Sequence, residues 1–122
     1  MTDNSNAPWP TELRVSKDRK TLTIAFNTDE SHELSAEYLR VCSPSAEVKG
    51  HAPSQKKTVP GKRLVEIIKI EPVGNYAVRI HFDDMHNSGI FSWTYLHELA
   101  NDRKKHWIGY LKELEDKGLS RD

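Results

Sequence analysis

The chain has 122 residues and a mass of 14.0 kDa, which is the size of one domain with a single hydrophobic core. Its 18 basic and 18 acidic side chains balance, so overall charge favours neither a nucleic acid nor an anionic membrane as partner. Hydrophobic residues make up 36% of the chain and form no run long enough to span a membrane, so the composition predicts a thin core under a well-solvated surface.

The start of the chain and its cysteine content both indicate a cytoplasmic protein. Residues 1–9 are polar and lack the basic and apolar regions of a signal peptide. We expect them to form a disordered arm before a domain over residues 10–119. Cys42 is the only cysteine, which excludes an internal disulfide framework and favours a reducing compartment.

The first group of predicted elements begins at Thr11. Apolar and polar residues alternate on both sides of a polar turn at 18–20, a pattern typical of a β-hairpin. A short strand around 32–34 follows after a second turn. Ser35 can then cap a brief helix over 36–40.

Residues 42–63 interrupt this pattern with proline, glycine and several basic side chains, and we predict a long loop. A solvated charge run is the simpler interpretation of its lysines, and a grip on an acidic partner is the functional one. Cys42 and His51 could also act as nucleophile and base, although a lone cysteine is most often a small buried hydrophobe. The candidate partner-binding residues of the loop are Cys42, His51, Lys56 and Lys57.

A second group of elements follows the loop and repeats the order of the first. Its predicted strands cover 65–70, 76–82 and 89–91, and a closing helix with Ser92 as its N-cap ends near Gly118. The matched pairs between the two groups are Ile24 with Ile80, Phe26 with Phe82, Leu34 with Ile90 and, after one extra residue, Ser35 with Ser92 and Tyr38 with Tyr95.

Helical spacing of apolar residues predicts that one face of the closing helix packs on the sheet. These residues are Leu96, Leu99, Ala100, Trp107, Tyr110, Leu111 and Leu114. Antiparallel hairpins in two pseudo-repeated units, with a long C-terminal helix on one face, make the predicted fold class α+β. We expect Trp93, Trp107 and Tyr110 to anchor this packing, and Trp9 to dock the N-terminal arm.

The turn after the second matched strand holds the densest group of potential metal ligands. His86 with Asp83 and Asp84 could bind a hard or borderline divalent ion. The simpler interpretation, which we favour from the turn alone, is that aspartates form a tight turn and shield a strand edge. The phosphate-loop, HExxH, CxxC and GxSxG signatures are absent from the sequence, so an enzyme with His86 and Asp84 as acid and base ranks last.

Five stretches of the chain carry a resemblance to a known family. The chain is similar to small stand-alone bacterial proteins related to the N-terminal domain of γ-butyrobetaine hydroxylase, from Trp9 to the closing helix. The stretches are Trp9-Pro10, residues 39–48 (LRVCSPSAEV), Gly50-His51, residues 70–76 (IEPVGNY) and residues 82–93 (FDDMHNSGIFSW).

The resemblance implies a structural zinc site in relatives, held by three cysteines and a histidine. Aligned on Pro44, the three cysteine positions fall on Ser43, Ser45 and Val48, and the histidine matches His86. Serine hydroxyls and valine do not replace thiolates on zinc, so we expect that this chain has lost the site.

The resemblance also bears on partners and activity. In γ-butyrobetaine hydroxylase and trimethyllysine hydroxylase the domain precedes an Fe(II)/2-oxoglutarate oxygenase domain. The resemblance covers only the N-terminal domain, so it does not imply hydroxylase activity for this chain. The same domain type is fused to Mrp-like iron–sulfur carrier ATPases in plants. These associations imply an unidentified protein partner in iron–sulfur assembly, or an accessory role beside an oxygenase.

Taken together, these patterns favour a non-catalytic binding or adaptor domain, linked through a partner to metal or iron–sulfur handling. A small metal-binding protein that uses His86 and nearby carboxylates is the second hypothesis. We expect no nucleic-acid or membrane partner and a monomer or weak homodimer, and the sequence names no cofactor beyond a candidate divalent metal.

Overall fold

The computed structural model describes residues 7–45, 48 and 57–122. Two three-stranded antiparallel sheets, each followed by a helix, confirm the predicted α+β class. The first sheet has the order β1-β2-β3 and the second β4-β5-β6. The elements are β1 (Pro10–Val15), β2 (Thr21–Phe26), β3 (Ser31–Ser35), α1 (Ala36–Val41), β4 (Ile67–Val73), β5 (Ala77–Phe82), β6 (Ile90–Ser92), α2 (Trp93–Asn101) and α3 (Arg103–Asp116).

The central strands of the two sheets supply matched parts of one core. Alternate residues of β2 and of β5 are buried, as a strand with one covered face requires. Helices α1 and α2 close the same core through fully buried leucines. The principal buried apolar residues of the core are Leu22, Ile24, Phe26, Leu34, Leu39, Val78, Ile80, Phe82, Phe91, Leu96 and Leu99.

The structure corrects one of the predicted repeat pairs. Leu34 faces Leu22 across the first sheet, and Phe91 faces Val78 in the corresponding place of the second. Phe91 is fully buried, whereas Ile90 is 39% exposed. The extra residue of the second unit therefore lies in the turn before β6, and Leu34 matches Phe91 rather than Ile90.

The first turns of α1 and α2 have the same N-cap, as the repeat predicts. Ser35 caps α1 by accepting the Tyr38 N–H at 3.0 Å, and Ser92 caps α2 by accepting the Tyr95 N–H at 3.1 Å. The Tyr38 hydroxyl donates to the Leu99 carbonyl at 2.8 Å. The two units are thus related at the level of individual hydrogen bonds.

The second tyrosine makes the reciprocal contact. The Tyr95 hydroxyl donates to the Cys42 carbonyl at 2.6 Å, and each acceptor lies four residues after the opposite tyrosine. Burial is the main cause that raises the pKa of both phenols above its usual range. The pair of hydrogen bonds clamps α1 onto α2 across an approximate two-fold relation.

The closing helix is divided at Asp102 into α2 and α3. In an unbroken helix the Leu99 carbonyl would accept from the Arg103 N–H, and here it accepts the Tyr38 hydroxyl. A side chain inserted into the helical hydrogen-bond ladder is a recognised cause of a bend, which accounts for the break. Gly118 ends the helical region at φ +65°, as predicted. The prediction that Leu111 belongs to the packed face of the helix is wrong, because its side chain is 38% exposed.

The C-terminal tail ties the end of the long loop to the domain. Backbone N–H groups of Gly61 and Arg63 donate to the carbonyls of Ser120 and Arg121 at 2.9 and 3.1 Å. The Arg121 guanidinium donates twice to the buried carboxylate of Glu37, at 2.8 and 2.7 Å. This bidentate geometry is the stronger form of an ion pair, so the tail fixes the loop beside α1.

None of the helices in the described ranges combines the length and the apolar character needed to cross a membrane. The longest of them, α3, has 14 residues, whereas about 20 apolar residues span a bilayer.

Removing the Tyr38 hydroxyl is expected to destabilise the domain. The substitution Tyr38→Phe leaves the Leu99 carbonyl without this donor, so we expect the free energy of unfolding to fall by about 1–2 kcal/mol. Tyr95→Phe should cost a similar amount. Urea denaturation measures both, with Tyr76→Phe as a matched control, because Tyr76 is 57% exposed. Equal stability of Tyr38→Phe and Tyr76→Phe would contradict the clamp.

Candidate functional site

The turn that follows β5 presents the three predicted metal ligands to different partners. Asp83 Oδ1 accepts the Glu66 N–H at 3.0 Å, and Asp84 pairs with basic side chains. His86 Nε2 lies 2.9 Å from Ser43 Oγ. The sequence predicted that these side chains lie near one another, and in the structure each of the three side chains bonds to different side-chain or backbone partners.

Asp84 is the centre of a partly buried charge cluster. Its Oδ2 accepts from Arg40 Nε at 2.8 Å and from Lys62 Nζ at 2.7 Å, and its Oδ1 accepts the His86 N–H at 3.2 Å. Burial alone would raise the pKa of Asp84, but these donors and the Arg40 charge outweigh it and lower the pKa to about 2. Arg40, Lys62 and Asp84 form what we call the charge triad.

The triad carries one net positive charge, and Arg40 is 9% exposed. Among the described residues, the Nη1 atom of Arg40 has no hydrogen-bond partner. Sequence patterns did not identify this triad, since Arg40 lies 44 residues before its acceptor and Lys62 was assigned to a solvated charge run.

Four polar residues at the junction of the two units form a second network, the serine–histidine cluster. Ser43 Oγ bonds to His86 Nε2, and Ser45 Oγ lies 2.7 Å from Ser88 Oγ. Ser43 is fully buried, and Ser45 and His86 are 7% and 4% exposed. The cluster also depends on Gly89, because a Cβ at that position would press on Ser43 Oγ.

Three members of this cluster, Ser43, Ser45 and His86, occupy positions that the resemblance assigns to zinc ligands. Val48, the fourth position, is 3% exposed, and its N–H donates to the Ser45 carbonyl at 3.0 Å. Neutral hydroxyls and a hydrocarbon side chain are a poor donor set for zinc, which prefers thiolate and imidazole. In this chain, hydrogen bonds hold the junction together at these positions.

Within the described ranges, no group of three His, Cys, Asp or Glu side chains is arranged to hold a metal ion. The site predicted at His86, Asp83 and Asp84 stays a prediction. It requires these side chains to exchange their present partners for a metal.

A concave region of the surface lies between α3 and the end of the long loop. We call it the loop–helix groove, and its volume is about 160 Å³. Two of the predicted partner-binding residues, Cys42 and Lys57, line it, whereas His51 and Lys56 lie outside the described residues. The other lining residues are Val41, Thr58, Val59, Lys105, His106, Gly109, Tyr110 and Glu113.

Side-chain hydrogen bonds fix the loop wall of this groove. The Tyr110 hydroxyl donates to the Val59 carbonyl at 2.6 Å, and burial raises the pKa of Tyr110 to about 12. Thr58 Oγ1 donates to Glu113 Oε1 at 2.9 Å and accepts from Lys117 Nζ at 2.9 Å. The groove therefore has two firmly connected walls.

Replacing Gly109 on the helix wall should stabilise the protein. Glycine costs about 0.5–1 kcal/mol relative to alanine inside a helix, and a Cβ built at Gly109 meets no atom within 4 Å. We expect Gly109→Ala to raise the free energy of unfolding by about that amount. Thermal denaturation monitored by circular dichroism checks this, and a destabilised variant would show that the position does not tolerate a side chain.

The fold and the junction define a small duplicated α+β domain with a polar network where its two units meet. The family model described as gamma-butyrobetaine hydroxylase-like, N-terminal, matches residues 13–97, and the chain belongs to this family. Comparison with curated proteins gives no match.

Solved structures share both the fold and the length of the chain. Two proteins with NMR solution structures are 46% and 42% identical, with TM-scores of 0.80 and 0.82. The matches cover 93% and 99% of this chain and 90% of each of those proteins. A crystal structure from Acidithiobacillus ferrooxidans ATCC 23270, a protein of unknown function in the DUF971 family, is 35% identical with a TM-score of 0.63, over 75% of this chain and 91% of that one.

Proposed function

We propose that this protein is a non-catalytic binding domain that holds an acidic segment of a partner protein in the loop–helix groove. The observation that carries the proposal is the charge of the groove. Lys57 and Lys105 line it from its two walls, His106 also lines it, and Glu113 already accepts a hydrogen bond from Thr58. Among its described lining residues, the groove thus offers basic side chains to a ligand, and the one carboxylate, of Glu113, is already engaged.

The basic side chains of the groove differ from the other cations near the loop. Lys62 is bound to Asp84, Arg63 to Asp122 and Arg121 to Glu37, so each of these side chains already pairs with a carboxylate of the domain. Lys57 and Lys105 are both exposed. Complementary charge raises the rate and the specificity of association, which suits a small adaptor.

A direct test uses a decaglutamate peptide titrated into the ¹⁵N-labelled protein and followed by NMR. We expect amide shifts at Lys57 and on the groove face of α3, and affinity that falls as salt rises. The double variant Lys57→Glu/Lys105→Glu should weaken binding at least about tenfold. Shifts spread over the whole surface, or binding that the double variant retains, would contradict the proposal.

Lys104→Glu is the matched control, because Lys104 is also exposed on α3 and lies outside the groove. Affinity purification from the source organism extends the test to natural partners. A partner recovered by the wild type and by Lys104→Glu, and lost from the groove variant, is the expected result. The resemblance suggests that this partner belongs to iron–sulfur assembly or is an Fe(II)/2-oxoglutarate oxygenase.

The proposal also includes a role in metal handling, either through the partner protein or through a metal bound by this chain. His86, Asp83 and Asp84 could hold a divalent ion only if the ion replaced their present partners. These are Ser43 for His86, the Glu66 N–H for Asp83, and Arg40 and Lys62 for Asp84. Metal analysis of protein purified without a histidine tag, with thermal denaturation before and after chelation, decides whether it does. If the purified protein contains less than one metal ion per chain and its melting temperature does not change on chelation, this chain does not bind the metal itself. Any role in metal handling would then depend on the partner.

A further inference from the structure

Another surface groove lies apart from the charge triad, the serine–histidine cluster and the loop–helix groove. At the first turn of α2, a groove of about 550 Å³ is lined by Pro8, Trp9, Asn75, Tyr76, Trp93 and Thr94, among others. We call it the aromatic groove. Trp9 and Tyr76 are 47% and 57% exposed, although large aromatic side chains usually contribute to a core.

Hydrogen bonds fix the backbone of Trp9 and Tyr76 and the indole ring of Trp93. Trp9 exchanges two hydrogen bonds with Asn27, each of 2.9 Å. Trp93 Nε1 donates to the Asn75 carbonyl at 2.8 Å, and the Trp93 N–H donates to the Tyr76 carbonyl at 2.9 Å. Exposed aromatic side chains on a fixed backbone have few rotatable bonds and lose little conformational entropy on binding, which makes them typical anchors of recognition.

A glycine keeps the Tyr76 ring against the turn beneath it. Gly74 has φ +55°, and a Cβ there would come within 2.9 Å of Tyr76 Cε1. The tyrosine ring therefore lies over a position that only glycine fills without displacing it. Trp93 packs against the core, as predicted, and it also lines the groove.

The charge of the groove restricts what it can bind. Among the described residues, eight line the groove and none of them is Asp, Glu, Lys, Arg or His, although 30% of the chain is charged and two or three would be expected at that frequency. A partner charge placed there would lose water without gaining a counter-charge. The complementary ligand is therefore an uncharged segment.

Hydrogen-bonding capacity restricts the ligand further. Within the described part of the chain, the Trp9 indole N–H and the Tyr76 hydroxyl form no hydrogen bond, so both can donate. A proline-rich segment in the polyproline II conformation offers solvated carbonyl acceptors, no proline N–H and flat rings that stack on aromatics. We propose that the aromatic groove binds an uncharged, proline-rich segment of a partner protein.

The test follows the tryptophan indole N–H signals of the ¹⁵N-labelled protein during titration with decaproline. Trp9 and Trp93 line the groove, whereas Trp107 packs against Tyr38 and Tyr110 elsewhere and serves as an internal reference. We expect the Trp9 and Trp93 signals to shift and saturate while the Trp107 signal stays in place. A glycine–serine decapeptide should produce no shift.

Variants show whether the aromatic side chains carry the binding. Trp9→Ala and Tyr76→Ala should each weaken decaproline binding about tenfold. Ile108→Ala, which removes a 66% exposed apolar side chain outside the groove, should leave it unchanged. The proposal is overturned if millimolar decaproline causes no shift or if the control peptide causes an equal one. It is also overturned if the signals change with protein concentration alone, because that result would mean that a second copy of the chain fills the groove.

Discussion

Asp84→Asn is expected to destabilise the domain more than any other single charge-removing substitution on the turn after β5. Asparagine keeps the shape of the side chain and leaves Arg40 and Lys62 without their carboxylate. Breaking a buried ion pair costs about 3–5 kcal/mol, and the partial exposure of this one reduces our expectation to roughly 2–4 kcal/mol. Urea denaturation at pH 7 measures the loss.

Asp83→Asn is the matched control because it makes the same chemical change one residue earlier. Asp83 is exposed, and an asparagine oxygen can still accept the Glu66 N–H. We expect its effect to stay within about 0.5 kcal/mol. If both variants lost the same stability, the charge triad would not be a principal support of the junction.

The same carboxylate predicts how stability changes with pH. The pKa of Asp84 is lowered from 3.8 to about 2 in the folded protein, so folding favours its charged form. Its stabilisation is complete above about pH 4 and is lost as the pH falls toward 2. The stability difference between wild type and Asp84→Asn should therefore shrink over that interval, and a difference that stays constant would refute the assignment.

Local patterns were sufficient to predict the architecture of the repeat. Alternation predicted β2 and β5, and Ser35 and Ser92 both cap the helices as expected. The error in the pairing of Leu34 has a physical origin. Ile90 and Phe91 are both apolar, and only the register of β6 against β5 shows which of them points into the core.

The site was harder to predict because its contacts join distant parts of the chain. The serine–histidine cluster connects residues 43 positions apart, and neither hydroxyl carries a local sequence signal. The matched tyrosines were visible, but their reciprocal carbonyl acceptors depend on how α1 crosses α2. Likewise, the position of Lys57 on a groove depends on α3 lying beside it.

The junction also predicts a gain of function. The triple variant Ser43→Cys/Ser45→Cys/Val48→Cys should bind one zinc ion with His86 as the fourth ligand. Ser43 Oγ already lies 2.9 Å from His86 Nε2, Ser45 N–H donates to Ser43 Oγ at 3.3 Å, and Val48 follows one turn later. Three thiolates and one imidazole form a tetrahedral zinc set.

The expected effect on stability is large. Without metal, the triple variant should be less stable than the wild type, since the hydrogen bond between Ser43 and His86 is lost. Zinc at a thousandfold excess over its Kd should add about 4 kcal/mol, because it binds the folded chain. That corresponds to roughly 10–20 °C in Tm for a domain of this size. Zinc content after dialysis and thermal denaturation measure the two effects.

Two controls separate a designed site from adventitious binding to cysteines. The first adds His86→Ala to the triple variant and should lower zinc affinity about tenfold or more, because one of four ligands is missing. The second keeps Val48 and introduces only the two cysteines at 43 and 45, which leaves too few thiolates for a closed structural site. If zinc bound equally well to all three proteins, the four positions would not converge on one ion. If it bound tightly only to the complete set, the hydrogen-bonded junction of this chain would have the geometry of a zinc site with different donor atoms.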